Sequence, residues 1–215
     1  MWWLVLSALA KPRPITIPID VGIGPSAHLV TGPVFRDQPV HTGLSLSLEA
    51  IIDQKTLRKY RRRIPARYRE MAMRMDEVRY APFIWLPETV FVSPAVRGTG
   101  MYGATWRPVS LGIPWVKDPF RFVTSVAPRV TYAFLHSRTL PSPTHFLRPG
   151  IDVRAEAEIP FSDDVLLSLG WTSQLYPPQE VGGSMLRWGT LDESIWHIGQ
   201  ATLQLHVRVP YKTTF

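Results

Sequence analysis

The sequence predicts an all-β fold, an eight-stranded antiparallel transmembrane β-barrel with one basic helical insert between strands 2 and 3. Three observations predict it. Apolar and polar residues alternate with a period of two over segment after segment, the signature of strands that show one face to an apolar phase. The connections between these segments alternate between short and long. The chain also closes on an amphipathic strand that ends in an aromatic residue.

Alternation is sharpest in Leu147 to Phe161. Leu147, Pro149, Ile151, Val153, Ala155, Ala157, Ile159 and Phe161 share one face, and Arg148, Gly150, Asp152, Arg154, Glu156 and Glu158 the other. Ile15 to Leu29, Val40 to Ile52, Val165 to Leu175 and Gly199 to Phe215 repeat the pattern, and Phe120 to Phe134 follows it less evenly. Met101 to Trp115 is regular only from Val109, which places a bulge near Arg107-Pro108. The eighth strand falls within Tyr80 to Val92, interrupted by Pro82 and Pro87.

Such strands suit a soluble barrel with its apolar face inward or a membrane barrel with that face outward. Aromatic residues near the segment ends (Trp115, Phe120, Phe122, Tyr132, Phe134, Phe161, Trp171, Tyr176, Trp196 and Tyr211) favour the second, as an interfacial girdle. So do the connections. Those after Trp115 and at Ser162 to Asp164 are short, whereas Thr31 to Pro39, Ser93 to Gly100, Ser137 to Thr144 and Pro177 to Ser194 are long.

Composition agrees. The 215 residues are 45% hydrophobic and 19% charged, with 21 prolines that argue for turns over a helical bundle. The absence of cysteine excludes disulfide scaffolds, thiolate metal sites and thiol nucleophiles. No apolar run reaches the roughly 18 residues of a membrane-spanning helix. Trp2 to Ala10 is a short apolar stretch with an Ala8-Leu9-Ala10 ending, so residues 1–10 read as an export signal and 11–215 as the barrel.

The last strand carries a resemblance. Phe215, Tyr211, Val209 and Val207 resemble the assembly signal of bacterial outer-membrane β-barrels, although Thr213 stands where an apolar residue is more usual. The chain resembles small OmpA- or OmpX-like barrels. That resemblance implies the outer membrane of a Gram-negative bacterium, contact with membrane lipid, and recognition by the barrel assembly machinery.

The polar faces give candidate sites. Asp20, Glu49, Asp152, Glu156 and Glu158 point inward with Arg121, Arg129, Arg148, Arg154, Arg208 and Lys212, close to charge balance. A barrel of eight strands is just wide enough for side chains to fill. This set therefore reads as a salt-bridged plug, with a narrow ion or solute path as the alternative. Five histidines lie near the long loops. His28 and His41 face inward; a histidine and a serine near this rim resemble the lipid A deacylase barrels, a resemblance that makes either histidine, beside Ser26 or Ser137, a candidate for a hydrolytic pair acting on lipid A, although that family's His-x-Ser arrangement is absent. His136, His145 and His197 fall in the lipid-facing register. No cofactor motif or metal-ligand spacing is present.

Residues 53–79 follow a different period. Leu57, Tyr60, Ile64, Tyr68, Met71, Met75 and Val78 recur at threes and fours, as on an amphipathic helix with Pro65 at its first turn. The segment carries Lys55, Arg58, Lys59, Arg61, Arg62, Arg63, Arg67, Arg69 and Arg74. Its net charge of +6, ten basic residues against four acidic, is most of the chain's +7. Three roles fit: a lid over the periplasmic mouth, docking to an acidic periplasmic protein or cell-wall polymer, or association with anionic lipid headgroups. Export argues against nucleic acid. The expected function is a structural or anchoring component, a candidate subunit of an envelope-spanning complex.

Overall fold

The computed structural model describes residues 14–75, 77–81, 86–116, 120–137, 144–181, 184–186 and 195–214. The expected export signal and Phe215 lie outside them. Among the described residues the strands are β1 (Pro14–Val30), β2 (Val40–Asp53), β3 (Glu77–Tyr80), β4 (Thr89–Ser93), β5 (Gly100–Trp106), β6 (Val109–Val116), β7 (Arg121–His136), β8 (Thr144–Pro160), β9 (Val165–Tyr176), β10 (Gln179–Val181), β11 (Ser184–Leu186) and β12 (Trp196–Thr214). The helices α1 (Gln54–Lys59) and α2 (Ala66–Arg74) separate β2 from β3.

Ten of these strands form one antiparallel sheet that closes on itself, because β1 pairs with both β12 and β2. The ring has eight positions. β3 and β4 lie end to end along β2, and β6 and β5 lie end to end along β7. The two breaks contain Pro87 and Pro108, while Pro82 lies outside the described residues. Pro108 has no N–H to give to a ladder, yet its carbonyl still accepts from Ala81 N at 3.0 Å. On the far side of the first break, Leu46 N donates to Glu88 O at 2.6 Å and Glu88 N to Thr105 O at 2.7 Å, so the wall is stitched across the gap.

Burial runs opposite to that of a soluble protein. In β8 and β9, Leu147, Ile151 and Leu169 are 63, 56 and 61% exposed, while Asp152 of β8 and Arg129 of β7 are 0 and 1% exposed. Large apolar side chains cover the outer wall on every long strand, and charged ones fill the interior. Strands of 12 to 19 residues on β1, β2, β7, β8, β9 and β12 exceed the roughly 9–11 that cross a bilayer, so they project beyond it. This is the geometry of a membrane barrel.

All long loops leave one end of the ring. The start of β1, the end of β12, the short turns and the helical insert occupy the other. The helical stretch is shorter than the sequence period suggests: α2 stops at Arg74 and the chain is strand again from Glu77, with Glu77 and Arg79 turned into the barrel.

Candidate functional site

The interior is the site, and it is layered along the barrel axis. At the short-turn end, β2, β3 and β8 bring Arg79 against Glu77 and, at 2.6 Å, Glu158 Oε1, with Glu49 and Glu156 both 3.7 Å away. Arg121 donates to Glu158 Oε2 at 2.9 Å and also pairs with Glu77. Asp20 binds His206, whose Nε2 lies 2.8 Å from Ser168 Oγ, and Arg208 Nε approaches Asp20 at 3.4 Å.

One layer higher, Arg129 bridges Glu88 Oε2 at 2.8 Å and Asp152 Oδ2 at 3.1 Å. Arg107 spans Asp152 at 3.2 Å, Glu49 at 3.3 Å and Ser125 Oγ at 2.7 Å, and Arg154 pairs with Glu88. Among the described residues seven buried carboxylates face six guanidiniums and His206. Taking a charge out of water costs several kcal/mol, so such a lumen holds together only when nearly every charge is paired.

Above the charges lies a neutral belt. Gln174 Nε2 donates to Gln200 Oε1 at 2.5 Å, Gln200 Nε2 to Thr89 Oγ1 at 3.0 Å, and Tyr176 OH to Gln174 Oε1 at 2.9 Å. His28 and His41 stand opposite each other across β1 and β2. Ser26 Oγ is 3.0 Å from His28 Nε2, and Ser93 Oγ is 3.1 Å from His41 Nδ1. Gly43 makes room for them, since a Cβ there would come within 2.9 Å of Ser26 Oγ and 3.1 Å of His28 Nε2.

The loop end is closed by an apolar cap of Val30, Phe35, Phe91, Met101, Leu135, Phe146 and their neighbours. Phe35 enters from the loop after β1 on a 3-10 turn, launched by Gly32 at a φ of 129°, where a Cβ would also strike the Leu186 side chain. Phe35, Leu135, Leu186 and Trp196 are not reached by solvent at all. His28 meets Phe91 edge to face at 4.5 Å between ring centres, and His41 meets Phe35 at 5.3 Å.

The expected lumen residues divide. Asp20, Glu49, Arg121, Arg129, Asp152, Arg154, Glu156, Glu158 and Arg208 lie together in the charged layers. Arg148 does not join them: it sits near the loop end and bonds Gln179 of β10. Lys212 is exposed, two inward positions beyond Arg208, where β12 still pairs with β1 but has passed the end of its pairing with β9. Tyr176 and Trp196, expected in the girdle, turn inward to the cap, whereas Trp115, Phe120, Phe161 and Tyr211 are exposed on the outer face of the short-turn end. Val207 and Val209 also face outward.

Glu77, Arg79, Glu88 and Arg107 are network members that the strand alternation does not reveal. All four lie in the two interrupted wall positions, where strand parity is broken.

His28 and His41 do face inward, and Ser26 joins His28. The serine at the His41 ring is Ser93, and Ser137 lies beyond the end of β7. Both histidines are fully buried, and among the described residues no carboxylate bonds either ring. Ser26→Ala strips His28 Nε2 of its partner inside a dry site and is expected to lower stability by about 1–2 kcal/mol, read from the urea midpoint, with the lipid A mass spectrum of expressing cells unchanged. Among the described residues no group of three or more metal-ligating side chains forms.

The insert residues lie outside the lumen. Lys55, Arg58, Lys59, Arg61, Arg62, Arg67 and Arg74 are exposed, Arg69 donates to Ile64 O at 3.2 Å, and Arg63 completes a 3-10 turn. A pocket of about 490 Å³ remains at the mouth beside α1, lined by Pro18, Ile51, Lys55, Glu77, Arg121 and Arg208. The insert therefore borders the mouth and leaves it unfilled.

Among the solved structures similar to this chain are the following. Neisserial surface protein A shares 11% identity at a TM-score of 0.47, over 93% of this chain and 99% of its own. Ail of Yersinia pestis, in complex with the heparin analogue sucrose octasulfate, shares 7% identity at 0.47 over 91% of this chain and 100% of its own. A second structure of Ail gives 6% identity, a TM-score of 0.44 and the same coverage. No protein-family model matches the sequence, and no curated protein does.

Proposed function

We propose that this chain is a non-conducting structural anchor in the outer membrane of a Gram-negative cell. The observation that carries the reading is the filled lumen, an ion network capped by apolar side chains that solvent does not reach. A solute path through the axis would have to break the Arg129–Glu88 and Arg129–Asp152 pairs and displace Phe35 and Trp196 together. A rigid interior of this kind holds the strands in one register and offers the surroundings two rims, long loops outside and a basic insert on the periplasmic side. A member of an envelope-spanning assembly would be met at these rims.

Planar bilayers test the reading. The purified full-length barrel, folded as judged by a heat-dependent shift on unboiled gels, is expected to give no conductance steps. Discrete steps that change size in Arg129→Ala would assign a channel instead.

A further inference from the structure

The insert is held on the outside of the barrel. Even residues of β1 point inward, so Ile17 and Ile19 belong to the lipid-facing wall, as does Ala50 of β2. Yet Ile17 and Ala50 are 5 and 0% exposed, because Tyr60 packs on them. Leu57 is buried on the same side of α1, whose first turn is capped by Asp53 accepting from Thr56 N at 2.8 Å. The turn after β2 thus folds back over the wall, and its Tyr60 replaces lipid.

The height of that contact is fixed by register. Ile17 pairs with Tyr211, and Tyr211 stands with Trp115, Phe120 and Phe161 as exposed aromatics of the short-turn end. Exposed aromatics at one end of a lipid-facing wall mark the membrane–water interface. Tyr60 sits in that ring. The next segments, the Arg61–Arg63 turn and α2, leave the wall at the level of the lipid headgroups.

α2 buries nothing. Tyr68 and Met71 are 45 and 54% exposed and lie three residues apart on one face of α2, with Met75 four residues further at its C-cap. Beside this face the Arg67 guanidinium lies over the Tyr68 ring at 4.5 Å, and Arg74 pairs with Glu70. Across residues 54–75 nine basic side chains meet a single acidic one, Glu70.

We propose that the insert is an interfacial element that lays α2 on the periplasmic leaflet, with Tyr68 and Met71 in the acyl boundary and the lysines and arginines on anionic phospholipid headgroups. An apolar stripe with a basic flank suits that surface. Continuity with the lipid-facing wall through Tyr60 favours a membrane over an acidic protein. The proposal rests on the barrel spanning a bilayer, and the gel shift of the same sample reports failure of that premise separately.

The chain has no cysteine, so Met71→Cys is a clean labelling site. Full-length protein carrying an environment-sensitive fluorophore there is reconstituted into phosphatidylcholine bilayers with and without phosphatidylglycerol. With phosphatidylglycerol the label is expected to shift to the blue and to be quenched by a spin-labelled lipid, and high salt should reverse much of this. Combined Arg58→Glu, Lys59→Glu, Arg61→Glu and Arg62→Glu should release the helix, by about fivefold in docked population for each basic side chain removed. Emission that stays water-like in both bilayers, from a folded barrel, overturns the proposal. So does a blue shift produced only by added polyglutamate, which would assign the insert to an acidic polypeptide.

Discussion

Arg129→Ala is expected to lower the stability of the folded barrel by about 3–5 kcal/mol, the usual cost of removing one partner from a buried ion pair. The guanidinium is 1% exposed and joins Glu88 to Asp152. Without it Glu88 keeps Arg154 and Asp152 keeps Arg107, so the loss is one surplus buried negative charge plus the volume of the side chain. The two parts can be separated. Adding Asp152→Asn to Arg129→Ala should return part of the stability, because it cancels the charge and leaves the cavity. Arg129→Lys should lie between, since an ammonium keeps the charge but cannot present the fork that spans two carboxylates. The measurement is the urea midpoint of the fast-migrating unboiled band. A loss under about 1 kcal/mol would equal an exposed pair and would mean that water fills the lumen, contrary to a sealed interior.

The wall was legible in the sequence because it solves two solvents at once. Lipid selects every second residue on the outside, and in β8 the charges Asp152, Arg154, Glu156 and Glu158 occupy the places between. Where a strand is long and unbroken, that alternation locates both faces. It fails where the strand is interrupted. Glu77 and Arg79 follow a helix whose spacing carries on through Val78, so the same residues fit the helical count and the strand count. Glu88 lies between Pro87 and a strand of five residues, and Arg107 lies in the break itself. None of these four shows its face until β2 and β7 supply the register.

The cap was hidden for another reason. Trp196 and Tyr176 at strand ends look like girdle aromatics, because a large ring suits an interface and a closed mouth equally well. Only pairing settles the choice: Trp196 and Tyr176 stand opposite each other on β12 and β9, their rings 5.6 Å apart inside the barrel. Phe35 belongs to a loop, where no period applies. In the insert, spacing identified an amphipathic helix but could not say that Tyr60 turns to the wall while Tyr68 and Met71 stay exposed.

Val153→Arg makes the strongest test of the direction in which the wall faces. Val153 lies in the middle of β8, is 50% exposed, and pairs with the outward Val126 on β7. For a half-exposed residue in water, such a substitution falls within about 0.5 kcal/mol of neutral. At the midplane of a bilayer the same guanidinium costs about 2–4 kcal/mol, because it must be drawn to an interface or carry water with it. The cost should therefore depend on depth: Val209→Arg, near the rim on β12, should cost only about 0–1 kcal/mol. Measured as folded fraction in phospholipid vesicles, a large loss at 153 and a small one at 209 are expected only if lipid covers this surface. Equal and negligible losses at both would place the outer face in water. The adjacent Asp152, with no exposed surface at all, sharpens the contrast, since one step along the strand separates a site that demands charge from one that rejects it.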